Sequence, residues 1–147
     1  MIPIEITEVC PTTYNGQVYE HYITGRLPSG QTLDLFDHDM LVQPSSEGEI
    51  IDILIGLLVT EDQIQVLTGT ENPRIIPAGE AAKRAKEHTY VGRITSVSEN
   101  VSGKYDIRMD VGEGVVRFRI GKGNTNWISE DTLIKVKAIR SDVRELG

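Results

Sequence analysis

Cysteine is almost missing from this chain: Cys10 stands alone among 147 residues. One thiol excludes an intrachain disulfide, a zinc ribbon and a CxxC redox pair, each of which needs at least two. The first residues, Met1-Ile2-Pro3-Ile4-Glu5, lack the basic start and apolar run of a signal peptide. Together these set the expectation of a cytoplasmic protein. Long hydrophobic runs are missing too. The longest, residues 50–59, spans ten residues and carries Asp52, about half of what a membrane-spanning helix needs. Aromatic residues make up 5% of the chain, so a core must be built from Ile, Val and Leu, whose shapes pack well on pleated strands.

Positive charge is scarce. The chain has 15 Lys+Arg against 22 Asp+Glu, a net charge of −7. That excludes a protein that coats nucleic acid without discrimination, since such binding rests on neutralising phosphates. The balance is uneven, however. Residues 1–87 hold 5 basic and 14 acidic side chains, a net of −9, and residues 88–147 hold 10 and 8, a net of +2. Such asymmetry fits halves that face different partners or each other, or two solvated surfaces that differ only in composition.

What is abundant is strand signal. Alternating or apolar runs occur at residues 4–9, 18–27, 31–36, 50–59 and 63–67. They recur at 89–97, 104–111, 115–120 and 133–139. Turn pairs separate them, among them Asn15-Gly16, Ser29-Gly30 and Gly112-Glu113-Gly114. The two series share an order of three strands, a loop and a late apolar strand. This predicts two similar modules, residues 1–70 and 88–147, joined by a linker over 71–87. The linker holds the one helical stretch, residues 80–86, rich in Ala and long straight side chains, with Glu80 and Arg84 at a favourable spacing. A single continuous β-sandwich across both halves is the alternative fold.

The second half carries a resemblance. Tyr90-Val91-Gly92-Arg93-Ile94-Thr95-Ser96-Val97 is similar to the first strand of OB-fold domains, where a glycine lets the strand curl. Residues 104–111, the turn at 112–114, residues 115–120 and the run Leu133-Ile134-Lys135-Val136-Lys137-Ala138-Ile139-Arg140 resemble later strands of that family. The resemblance covers about 60 residues and includes no invariant motif; the first half resembles the family more weakly. It implies an all-β chain of two tandem small OB-like β-barrels joined by a short helical linker. It also implies binding of single-stranded nucleic acid or oligosaccharide across strands two and three.

Alternation places the candidates on those strands. With Tyr105, Ile107, Met109 and Val111 on one face, Asp106, Arg108 and Asp110 fall on the other. With Val116, Phe118 and Ile120 inward, Arg117 and Arg119 point out. Arginine suits phosphate because its planar fork donates two parallel hydrogen bonds. Lys104, Lys122, Asn124, Asn126 and Trp127 extend the candidate surface, with Trp127 offering a face on which a base could stack. The competing reading is a solvated face on which carboxylates balance the arginines, with Trp127 anchoring a loop in the core.

Other chemistry is poorly represented. Asp34, Asp37, His38 and Asp39 form the densest set of potential ligands, but without EF-hand spacing. The expectation there is a solvated strand end, with no metal and no cofactor. Cys10 and the histidines, His21, His38 and His88, lack a nucleophile–base motif. Gly121-Lys122-Gly123 lacks the frame of a phosphate-binding loop. These observations predict a non-catalytic binding module contacting single-stranded nucleic acid through Arg108, Arg117, Arg119, Lys122 and Trp127, with no membrane role. The rival is a protein-interaction or assembly module that pairs through exposed strand edges with a partner or a second copy.

Overall fold

A computed structural model describes residues 1–79, 87–123 and 126–147. The chain is predominantly β, and no helix of seven or more residues occurs among the described residues. The helix expected over residues 80–86 lies outside them. No described helix is long and apolar enough to cross a membrane.

The first half supplies β1 (Ile2–Tyr14), β2 (Gln17–Arg26), β3 (Thr32–Asp37), β4 (Ile50–Leu58) and the short β5 (Ile64–Val66). A further short strand, β6 (Arg74–Ile76), lies within the expected linker and pairs with β7 (Thr89–Glu99). Then follow β8 (Tyr105–Asp110), β9 (Val115–Ile120), β10 (Leu133–Lys137) and β11 (Arg140–Leu146).

Local sequence explains the hairpins. β1 and β2 meet at Asn15 and Gly16, with φ of 50° and 76°, the two left-handed positions that a tight two-residue hairpin turn requires. β1 runs on through Pro11, beyond the run expected over residues 4–9. At Pro11, β1 pairs only with β2, and such a one-sided position tolerates a residue without an N–H.

The pairings cross the boundary expected between residues 1–70 and 88–147. β1, β2 and β3 are joined in order; β11 then lies between β3 and β4, and β4 pairs back to β1. This closes a ring of five strands, and its closing member comes from the far end of the chain. β11 runs parallel to β3, with Asp142 opposite Phe36, and antiparallel to β4. The second half forms a row that no pairing among the described residues closes into a ring. β10, β7, β8 and β9 lie side by side, with β4 beside β9 in parallel and β5 beside β10. Each half therefore receives strands from the other.

β4 is the seam. Ile53 pairs with Ile2 and Leu146, and Ile55 pairs with Val116 and Val143. One edge of β4 thus serves β1 and then β9, while the other serves β11. Its residues 53–57 are all buried, as the continuous apolar run demands, because neither face is left to water. One hydrophobic cluster draws on both halves, including Ile4, Leu35 and Ile55 with Tyr90, Ile107, Phe118, Val136 and Val143.

Candidate nucleic-acid interface

The outer face of β8 and β9 follows from their alternation. Ile107, Met109, Val116, Phe118 and Ile120 are buried, which turns Asp106, Arg108, Asp110, Arg117 and Arg119 outward. The antiparallel register sets Arg108 directly opposite Arg117 and Asp106 opposite Arg119. The second pair is an ion pair, with Arg119 Nε 2.6 Å from Asp106 Oδ1. The first is two like charges on neighbouring strands, an arrangement that is mildly destabilising by itself. Asp110 forms no ion pair with either arginine; its Oδ1 accepts the backbone N–H of Gly112 at 2.8 Å and holds the following turn. Among the described residues neither Arg108 nor Arg117 has a carboxylate partner.

Beside these strands a cleft of ≈ 300 Å³ lies over β4 and β9, lined by Gly56, Lys104, Arg117, Arg119 and Arg144 together with apolar neighbours. None of its described lining residues is acidic. Arg144 comes from β11, at the irregular step between Val143 and Glu145. Alternation within the second half gave no reason to group it with Arg117. Its presence follows from the placement of β11 beside β4, and no feature of the sequence signals that placement.

The other expected site residues are placed differently. Lys122 forms an ion pair with Glu99 and lies 5.9 Å from the centre of the Tyr105 ring. The hydrogen bond to Glu99, set against a smaller cost of burial, holds its ammonium pKa above the ordinary lysine value. Trp127 is half-buried and packs against the hydrophobic core. It does not line the cleft. Asn126 is exposed, and Asn124 lies outside the described residues.

The acidic and histidine candidates are engaged in structural tasks. Asp37 is fully buried, and its two oxygens accept the backbone N–H groups of Leu41 and Val42 at 3.0 and 2.8 Å. Asp34 accepts the Thr24 hydroxyl at 3.1 Å. No group of three possible metal ligands occurs among the described residues. His21 Nδ1 lies 2.9 Å from the Val42 carbonyl. His88 is fully buried, and its Nδ1 accepts the Ala78 N–H at 2.9 Å. His38 stacks on Phe36, whose ring also carries Arg140 at 4.2 Å.

A buried carboxylate organises the neighbouring basic residues. Asp142 is 5% exposed and receives Arg140 on both oxygens, at 2.6 and 3.1 Å, with Arg144 more distant at 3.4 Å. The hydrogen bond to Asp142 holds the Arg140 pKa above its ordinary value, against the cost of partial burial. This geometry leaves a basic, concave surface able to neutralise an extended anion, built from strands of both halves. Comparison with protein-family models, curated proteins and solved structures gives no match, so the reading of this surface rests on its own chemistry.

Proposed function

We propose that this chain is a non-catalytic binding module that contacts single-stranded nucleic acid across the outer face of β8 and β9. The observation that carries the reading is the facing pair Arg108 and Arg117, like charges held side by side without a carboxylate partner. Their mutual repulsion is relieved when phosphate lies over them, so bound anion is favoured at the point where the sheet alone is frustrated. The ring of five strands, four from the first half and β11 from residues 140–146, supports an OB-like architecture. In this reading the chain holds two OB-like barrels that exchange strands, the second one open between β4 and β5 among the described residues. The excess of carboxylates in residues 1–87 limits indiscriminate binding.

Stacking has a smaller part than the sequence indicated, because Trp127 packs inward. Binding is then mainly electrostatic and steeply salt-dependent. With three phosphates neutralised, log K falls against log salt with a slope of about −2 for a single strand. Fluorescence anisotropy of labelled single-stranded DNA and RNA, measured across a salt series, tests this. Binding that weakens with salt and drops about tenfold or more in Arg108→Ala/Arg117→Ala is expected. Absence of binding at low salt would overturn it.

A second observation favours the assembly reading. Beyond Cys10 of β1 and before His21 of β2, the two strands pair only with each other. This projecting ribbon carries Tyr14 and Tyr19, 67% and 52% exposed, with ring centres 6.2 Å apart. Exposed tyrosines at such a tip suit a protein partner. Sedimentation of the intact protein and of Tyr14→Ser/Tyr19→Ser reads this directly: an oligomer lost in the variant supports assembly through the ribbon.

A further inference from the structure

We infer that the cleft over Gly56 is a phosphate seat whose two clamps, Arg117 and Arg144, come from opposite ends of the strand exchange. This deepens the nucleic-acid reading and, for its natural ligand, rests on it. Gly56 is paired with Arg117 on β9 and with Asp142 on β11. Its missing side chain is what lets Arg144 lie across the strand. A Cβ at position 56 would stand 2.6 Å from Arg144 Cγ and 2.7 Å from its Nε, with only Arg144 atoms among its nearest neighbours.

Arg144 is the surplus cation of its own cluster. The Asp142 carboxylate takes its two shorter bonds from Arg140, and its contact with Arg144 is a long one at 3.4 Å. Arg144 remains 54% exposed, and with Arg117 it borders a cleft without a described acidic lining residue. Lys104 and Arg119 border the same cleft. A single carboxylate needs one guanidinium fork. Several cations along an open cleft instead match the repeated charge of a phosphodiester chain or a polyphosphate.

The test uses the full chain, labelled single-stranded oligonucleotide, and inorganic tripolyphosphate as a nucleic-acid-free probe. Arg144→Gln removes one clamp, and Gly56→Ala keeps the charge but lifts Arg144 from its place. Arg26→Gln, on the remote β2, serves as the control. The expected result is an approximately five- to tenfold loss of oligonucleotide affinity in Arg144→Gln, with the salt slope reduced by about 0.7. Gly56→Ala should weaken binding with the fold intact by circular dichroism, and the control should bind as the parent does. If the parent binds and both cleft variants match it, the seat is overturned while the nucleic-acid reading stands. If the parent binds no oligonucleotide, tripolyphosphate decides. A shift of the Gly56 amide resonance that disappears in Arg144→Gln retains the seat as a polyphosphate site and discards the nucleic-acid reading. No shift overturns both.

Discussion

Asp37 shows how a single side chain can be misjudged from its neighbours in sequence. Beside His38 and Asp39 it reads as part of a solvated acidic cluster, yet it is fully buried and anchors the loop that follows β3 through two backbone N–H groups. Asp37→Ala would leave both donors without their acceptor. It is expected to cost about 3 kcal/mol, measured by urea unfolding. Tyr90 is a second such case. Its phenol is fully buried, 2.6 Å from Ser141 Oγ, and burial pushes its pKa well above the ordinary value. Above pH ~10 the unfolded chain releases this proton and the folded chain keeps it, so stability falls as pH rises. Tyr90→Phe should be less stable than the parent at pH 7 by about 1 kcal/mol. It should also lose less stability between pH 9 and 11, as thermal unfolding across that range would show.

Among the elements, β11 has the widest consequences. It fills the gap between β3 and β4, buries Val143 in the common core and provides Ser141 to Tyr90. Deleting residues 140–147 would expose two strand edges and part of the core, and would remove Arg144 from the cleft. The truncated chain is expected to lose cooperative unfolding and to bind a hydrophobic dye, as calorimetry and fluorescence would detect. The β1–β2 turn is a smaller lever. Gly16→Ala places a Cβ at φ 76° without any atom within 4 Å. Its cost is therefore backbone strain alone, about 1 kcal/mol by chemical denaturation.

For the molecule as a whole, strand exchange makes the halves interdependent. Residues 1–79 alone lack β11, and residues 87–147 alone lack β4 and β5. Neither fragment is expected to unfold cooperatively by circular dichroism, whereas co-expression should yield a one-to-one complex with the stability dome of a folded domain. Two independently folding fragments would show instead that the exchanged pairings are dispensable. The parallel pairing of Asp142 with Phe36 joins positions roughly a hundred residues apart, a topology whose loop-closure cost slows folding. Refolding is accordingly expected in the millisecond-to-second range by stopped-flow fluorescence of Trp127.

Several features were legible in the sequence because they depend only on near neighbours. Alternation placed Arg108, Arg117 and Arg119 outward and Ile107 and Phe118 inward. Asn15-Gly16 marked the hairpin turn, and the apolar run over residues 50–59 marked a strand. These rest on the two-residue period of a strand and on the dihedral freedom of particular residues, both local properties. What only the tertiary structure decided was which strands meet. Strand edges offer the same N–H and C=O groups whatever their sequence, so the choice of partner is made by how the whole set of apolar faces can be covered at once. That choice put β11 between β3 and β4 and brought Arg144 across Gly56 toward Arg117. It also turned Trp127 inward and drew Asp37 and His88 into the interior.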